Sequence, residues 1–401
     1  MKILLVSQYF YPENFKINDL VFSLKERGHE VTVLTGKPNY PKGSFFDGYS
    51  WSSPDFENIN GIPVFRSNLF SRGNGSAILL FLNYLSFAIL ASLKLKKIKG
   101  SFDVIFVYQT SPVTVGIPAY FAKLLFKVPI YFWVQDLWPE SLTAAGGIKN
   151  KFILGFFNSL TKWIYKHSKK ILIQSIGFRE YIQNQGVPKD KIIFYPNLTE
   201  NFYTPLKEVK KYKEFFPNEF FNIVFAGNIG EAQSFQTIIE AFNKIKEFPV
   251  KITVIGDGRY KKTALQPIKE KGLETSFNFI GSFPPTEMPK FFFHADALLV
   301  SLKKNKIFSL TIPAKVQSYL ACGKPIIASI DGIGAKIVTD AKCGVVSPAE
   351  NSLVLSEKIK ELIILDQSKL HEMGINARTY YDKEFDRNHL LEKLEVIFNS
   401  N

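Results

Sequence analysis

The chain has 401 residues, too many for one compact core and suited to two domains. Its hydrophobic fraction of 46% is that of a soluble globular protein, and 38 phenylalanines point to large cores. Lysine and arginine outnumber acids 50 to 36, a net charge of +14, yet no recognised nucleic-acid module or arginine-rich stretch accompanies the excess. Nucleic acid is therefore set aside in favour of an anionic membrane surface or a phosphate-bearing ligand.

In chain order, strand-like runs alternate with helix-like runs, which implies parallel sheets joined by crossover helices. The first strand is Ile3–Ser7. Met1-Lys2 leads into only four apolar residues before Ser7 and Gln8, which argues against a secretory leader. The loop after this strand carries Glu13 and Lys16; Lys16 reads equally as a solvated lysine or as a cation aimed at a ligand. Val31–Thr35 is the second strand. Ala77 to Leu93 then stands apart, seventeen residues without a charge. As a helix it spans about 25 Å against a hydrocarbon layer of roughly 30 Å. Lys94, Lys96, Lys97 and Lys99 follow it. Two readings stand: partial insertion into an anionic leaflet, or burial against the first sheet. Lys151 to Lys170, with Phe152, Phe156, Phe157, Trp163 and Tyr165 among lysines, extends the membrane surface of the first reading.

Strands Val104–Tyr108, Pro129–Val134, Ile171–Gln174 and Ile192–Tyr195 complete the first series. Gln135, Asp136, Trp138 and Glu140 follow Pro129–Val134, at the strand end where α/β sheets place ligands. The competing reading of Asp136 is a cap for the next helix. Residues 1–200 hold 23 Lys and Arg against 13 Asp and Glu (+10), and residues 201–401 hold 27 against 23 (+4). Pro196 to Asn218, charged and aperiodic, reads as the interdomain linker.

The second series is Asn222–Ala226, Lys251–Ile255, Phe277–Ile280, Ala297–Ser301, Pro325–Ala328 and Gly344–Ser347. Three of its strands run into glycine turns: Gly227-Asn228-Ile229-Gly230, Gly256-Asp257-Gly258 and Gly281-Ser282-Phe283-Pro284. Such turns let a phosphate approach the backbone closely. Pro313 and Lys315 precede a helix with Val316, Leu320 and Ala321 on its apolar side, ended by Gly323 and barred by Pro325. A lysine there adds a full charge where helix N–H groups and dipole already favour an anion. Taken singly, each turn has a packing reading and the lysine a surface reading; their conjunction favours a ligand. Cys322 and Cys343, beside glycines and without metal-ligand spacing, read as buried thiols of a reducing compartment. The last stretch, Arg378 to Asn401, contains a helix with Leu390, Leu391, Leu394 and Ile397 on one face.

The segments SQYFYPENFKINDL (7–20), GHEVTVLTGKPNYPKG (28–43), VQDLWPES (134–141), FAGNIGEAQSFQTIIEAF (225–242) and FSLTIPAKVQSYLACGKPIIASI (308–330) stand in one order and spacing. Together they resemble glycosyltransferase family 4 over nearly the whole chain. Within it they resemble the bacterial subgroup of L-fucosamine or N-acetylhexosamine transferases of O-antigen or capsule assembly. The resemblance implies an α/β GT-B fold, two Rossmann-like domains facing across a cleft. Residues 1–200 would bind the acceptor, joined by a C-terminal helix over about 378–401, and residues 201–377 would bind the nucleotide sugar. It further implies retaining transfer of an amino sugar from a UDP donor to a polyprenyl-diphosphate-linked sugar, with no obligatory covalent intermediate. The protein would be cytoplasmic, peripherally associated with the inner face of the plasma membrane.

Charge must be stabilised on the departing diphosphate. No Asp-x-Asp occurs in the sequence, so protein groups rather than a divalent metal are expected to do this, and no cofactor is expected beyond UDP-sugar as co-substrate. On the donor side the resemblance points to the backbones of Gly227, Gly230, Gly256 and Gly281, to Lys315 for the diphosphate charge, and to Lys16. The chain departs from the commonest family pattern here. Asn228 and Gln233 stand where most members have Arg and Lys, and Leu310 and Ser318 where most have two glutamates. Gln317 or Ser318 is then left for the ribose. On the acceptor side the candidates are Glu13, Gln135, Asp136 and Trp138, with Asp136 to orient or deprotonate the acceptor hydroxyl and Glu140 as the alternate. Family members often have His in place of Gln135. These departures leave two rivals: a UDP-sugar 2-epimerase of the same fold, and a catalytically inactive membrane-associated protein.

Overall fold

A computed structural model describes residues 1–146 and 150–400. The chain divides into two compact units, Met1–Asn197 with Leu391–Asn401, and Leu198–Leu390.

The first unit holds β1 (Lys2–Val6), β2 (Glu30–Gly36), β3 (Phe56–Ile59), β4 (Ile62–Ser67), β5 (Val104–Gln109), β6 (Ile130–Val134), β7 (Lys170–Ile173) and β8 (Ile192–Phe194). Among the described residues they form one sheet in the order β3-β4-β2-β1-β5-β6-β7-β8. All neighbours pair parallel except β3 and β4. Strands such as Ile130–Val134 are buried at every residue, as a parallel sheet covered on both faces requires. The helices are α1 (Lys16–Glu26), α2 (Ala77–Lys94), α3 (Gly116–Phe126), α4 (Glu140–Gly146), α5 (Lys151–His167) and α6 (Phe178–Asn184). Strand order reverses at β1, between β2 and β5, so the loops after β1 and β5 flank the crevice where such sheets bind ligands.

The second unit holds β9 (Phe221–Ala226), β10 (Val250–Ile255), β11 (Phe277–Gly281), β12 (Ala297–Ser301), β13 (Ile326–Ser329) and β14 (Gly344–Ser347), all parallel, in the order β11-β10-β9-β12-β13-β14. Its helices are α7 (Phe235–Lys244), α8 (Lys261–Glu270), α9 (Met288–His294), α10 (Lys306–Leu310), α11 (Ala314–Ala321), α12 (Ile333–Asp340), α13 (Ser352–Ile363) and α14 (Gln367–Glu384). The apolar face of α7, with Ile238, Ile239, Ala241 and Phe242, packs into a core with Phe225, Ile252 and Leu299.

Every strand expected from the sequence forms, within a residue at each end, but the hairpin β3–β4 is additional. Its turn is Asn60-Gly61, both with positive φ (51° and 77°), the conformation of a two-residue hairpin turn. The chain's return also differs. Arg378 remains with the second unit, its guanidinium donating to the Ala321 carbonyl at 2.8 Å. The return begins at Leu391, within α15 (Arg387–Asn399). There Leu394 is buried, the Tyr131 hydroxyl donates to the Phe398 carbonyl at 3.2 Å, and Arg27 pairs with Glu395 at 2.7 Å.

Of the two readings of 77–93, burial against the first unit holds for one face of the helix only. α2 packs on its unit through Asn83, Ser86, Phe87, Ala88 and Ala91, and bares Ile78, Phe81, Leu85, Ile89 and Leu93. Apart from Phe87, small and polar residues face inward, where Asn83 accepts from the Gln8 amide at 2.7 Å, while most large apolar residues face out. With the turn that follows it, this helix (Ala77–Lys97) is long and apolar enough to cross a membrane by length and composition.

Candidate functional site

In the first unit, the loop after β1 is tied down by Glu13. Its carboxylate accepts from the backbone N–H groups of Asn39 (2.9 Å) and Tyr40 (2.8 Å), and more weakly from Phe10 (3.4 Å). Burial pushes its pKa up to about 7, against the pull of those three N–H donors. Glu13 thus clamps two loops together, and its lone pairs are directed at backbone rather than outward. Lys16 lies not in the loop but at the first residue of α1, half-buried.

Asp136 follows β6. Its carboxylate accepts from the Ser111 hydroxyl at 2.9 Å, and the Ser111 hydroxyl oxygen in turn accepts from the Trp138 indole N–H at 3.2 Å. α4 begins four residues later at Glu140, and among the described residues no backbone N–H of that helix reaches the Asp136 carboxylate, which disfavours the cap reading. Burial raises its pKa to about 6, and the Ser111 hydrogen bond lowers it. Tyr84 of α2 is close by: its phenol pKa is raised by burial, lowered by Arg72 and raised again by Asp136. Arg72 donates to the Tyr9 hydroxyl at 2.5 Å and lies over the Tyr40 ring at 5.1 Å. Ser111 and Tyr84 therefore flank Asp136, with Arg72 and Tyr9 joined to Tyr84 behind them, and none of the four was legible as a site residue. Arg72 in Ser71-Arg72-Gly73 was the one signal, a lone arginine between two apolar runs.

Trp138 requires correction. Its ring is 1% exposed, packed on Phe157 and Tyr84, so it orients Ser111 from the core and offers no face to an acceptor. Glu140 accepts from the Tyr181 hydroxyl of α6, which leaves it anchored to that helix. Gln135 is buried just past the end of β6, its side-chain nitrogen without a hydrogen-bond partner among the described residues. Two other buried cations are consumed by structure: Lys37 donates to the carbonyls of Trp51 (3.1 Å) and Ser53 (2.9 Å), and Arg66 to that of Gly36 (3.1 Å).

In the second unit, the three glycine turns stack on one another. Gly227 N–H donates to the Ile255 carbonyl and Gly256 N–H to the Gly281 carbonyl, both at 2.8 Å. Gly256 has φ +143°, and a Cβ there would fall 2.0 Å from the Gly227 oxygen. Beneath Gly227 lies Lys315, the second residue of α11. A Cβ at Gly227 would meet its Cε at 2.9 Å and its Nζ at 3.2 Å, so the glycine makes the lysine's place. The Nζ is buried, has no hydrogen-bond partner among the described residues, and sits 3.8 Å from the centre of the Phe225 ring. Burial alone lowers its pKa to about 7.

The rest of this turn is arranged differently from the expectation. The Gly230 N–H is already engaged by the Gln233 side chain at 3.0 Å, and exposed Asn228 also approaches Gln233 at 3.4 Å. Gln317 and Ser318 are buried in α11, the Ser318 hydroxyl donating back to the Ala314 carbonyl at 3.2 Å. Beside the turn, Asn228, Gly230, Gln233, Arg259, Tyr260 and Lys303 line a cavity of about 800 Å³. Exposed Arg259, in the next glycine turn, brings a cation next to Asn228 that sequence reasoning missed.

Two parallel α/β units, each with a ligand crevice at its strand-order reversal, define the GT-B class of glycosyltransferases. The comparisons agree. The model of the glycosyl transferase 4-like domain matches residues 16–197 and that of glycosyl transferases group 1 matches residues 207–380. The chain is a GT-B glycosyltransferase of family 4. It is 21% identical over 416 residues to a protein of Escherichia coli K12 provisionally named colanic acid biosynthesis glycosyl transferase WcaI, with 98% of each chain covered. It is 25% identical over 249 residues to one of Pseudomonas aeruginosa provisionally named glycosyltransferase WbjE, a match spanning 59% of this chain and 60% of that one. The fold is similar to that of HepE from Anabaena, solved with UDP and glucose, at a TM-score of 0.71, 14% identity and full coverage of both chains.

Proposed function

We propose that this protein moves an amino sugar, of the N-acetylhexosamine or L-FucNAc type, from UDP to a polyprenyl-diphosphate-linked glycan, with retention at the anomeric carbon and without a divalent metal. The observation that carries the reading is Lys315, an ammonium under a glycine roof with no hydrogen-bond partner among the described residues. A buried, unpaired cation of this kind is costly unless an anion completes it. A diphosphate arriving over Gly227 supplies that anion, and the ammonium then stabilises the charge that grows on the leaving group. The bond from C1 to the UDP oxygen breaks, the acceptor hydroxyl bonds to C1, and its proton passes to Asp136, whose pKa of about 6 leaves it mostly ionised near neutrality. WcaI's assignment to colanic acid biosynthesis supports a surface polysaccharide as the product's destination.

The outward apolar face of α2 supports a lipid-linked acceptor at the cytoplasmic surface of the plasma membrane. Leu124 and Leu125 of α3 and Phe152 and Phe156 of α5 are exposed on the same unit, and Lys94, Lys96, Lys97 and Lys99 follow α2. Bared apolar residues next to basic ones suit shallow insertion into an anionic leaflet.

The test is a screen of UDP-sugars against a short-chain polyprenyl-diphosphate-sugar, read by mass. The expected product is the acceptor plus one amino-sugar residue, unchanged by chelator. Interconversion of UDP-sugars without acceptor would favour the epimerase instead, and transfer abolished by chelator would end the metal-free reading.

A further inference from the structure

We infer that the first unit carries a phosphate-binding pocket, apart from Asp136 and the loop after β1, that takes the headgroup of an anionic phospholipid; the inference rests on the membrane reading above. The pocket, of about 510 Å³, lies between the C-terminal ends of α3 and α5 and is lined by Lys123, Lys127, Lys166, His167 and Lys169 over a floor of Val128 and Pro129. Its lining contains no acidic residue. Lysines at helix C-termini ordinarily serve the last carbonyls, and two do so: Lys123 donates to the His167 carbonyl at 2.8 Å and Lys169 to that of Ser400 at 2.7 Å. Those acceptors are neutral, so neither hydrogen bond offsets an ammonium charge. No ion pair joins any of the four lysines to a carboxylate among the described residues. Lys127 and Lys166 are exposed at the rim.

Lys127 also occupies the left-handed C-cap of α3, with φ +58°, where glycine is the less strained choice. The crowding of like charge is felt by a neighbour: Lys191, which donates to the Lys166 carbonyl at 3.1 Å, has its pKa lowered by burial first and then by Lys123, with Asp190 opposing and Lys170 adding to the fall. The rim identifies the source of the phosphate. Leu124 lines the pocket and is exposed, with Phe121 and Leu125 exposed on the same helix, so acyl chains attached to a bound phosphate would run onto apolar surface.

The experiment uses the full chain and a monomeric short-chain phosphatidylglycerol, followed by amide hydrogen exchange and calorimetry. Binding with protection confined to residues 123–129 and 166–169 is expected. It should weaken about 25-fold in Lys127→Gln/Lys166→Gln, at about fivefold for each lysine near an anionic headgroup. Lys262→Gln/Lys269→Gln, with the same change in net charge on the second unit, should bind as wild type does. Equal loss in both variants would show diffuse electrostatics and overturn the pocket, as would absence of binding. Glycerol 1-phosphate or inorganic phosphate binding as tightly as the lipid would overturn the lipid source. Because the probe is monomeric, failure of wild type to bind vesicles of phosphatidylcholine and phosphatidylglycerol would count against membrane docking alone.

Discussion

Lys315→Met keeps the length and apolar stem of the side chain and deletes only the ammonium. Burial lowers the lysine from its usual 10.5 to about 7. The charged form is thus held about 5 kcal/mol above its cost in water (3.5 × 1.36), and near pH 7, where half the molecules are neutral, the net burden on the fold is about 4 kcal/mol. The Phe225 ring at 3.8 Å and local relaxation return part of this, so the variant is expected to be more stable by about 2 kcal/mol. For a unit the size of Leu198–Leu390 that is a rise in Tm of about 4–8 °C. The gain has a pH signature. The folded pKa is below the unfolded one, so between about 7 and 10.5 the unfolded chain holds the extra proton and wild-type stability climbs with pH. The variant's advantage should shrink across that window. The same substitution should cut turnover about 10²–10³-fold, as loss of an electrostatic stabiliser does. The assays are thermal unfolding of the ligand-free protein at pH 7 and 9.5, and sugar transfer at saturating acceptor. A variant no more stable than wild type, or one that turns over normally, would refute the reasoning.

Asp136→Asn should cost about 10²–10⁴ in kcat if the carboxylate takes the acceptor proton. In wild type, kcat should fall as pH drops through about 6, and folding stability should decline as pH rises from about 4 to 6, because the folded carboxyl holds its proton longer than the unfolded one. Asp136→Asn should abolish that decline, which pH-resolved denaturation would reveal. Glu13→Ala leaves the Asn39 and Tyr40 N–H groups buried without acceptors and should destabilise the first unit by about 2–3 kcal/mol, whereas Glu13→Gln, which keeps the carbonyl oxygen, should lose far less in urea titrations. Gly256→Ala drives a Cβ into the Gly227 carbonyl and should weaken UDP binding by calorimetry even where the protein stays folded; unchanged affinity would separate that turn from the donor site.

Most of the framework was legible because buried parallel strands announce themselves as short apolar runs, and the glycine turns after them as punctuation. The β3–β4 hairpin escaped for the opposite reason: Phe56-Glu57-Asn58-Ile59 is short, charged and at the sheet edge, and only the Asn60-Gly61 turn betrays it. Cys322 and Cys343 are buried and unpaired, as their surroundings suggested. The site was read less fully. Lys315 could be singled out from its place before a helix, but its burial beneath Gly227 depends on contacts nearly ninety residues apart, which no local pattern encodes. Trp138 failed because a tryptophan beside two carboxylates gives no hint of which way its ring points. Tyr84 comes near Asp136, and Arg72 near Tyr84, only through tertiary folding, so neither spacing nor composition could join them.

The Leu391–Asn401 segment has an implication for biogenesis. Phe398 stacks edge-on against Phe106 and Tyr131 in the middle of the first unit. A nascent chain that has emerged only as far as Asn197 therefore has a gap in its hydrophobic interior. Synthesis from the amino terminus, which usually lets the leading domain mature first, here leaves that domain waiting on Leu391–Asn401, which emerges only after the whole of the second unit, so the trailing domain can finish ahead of it.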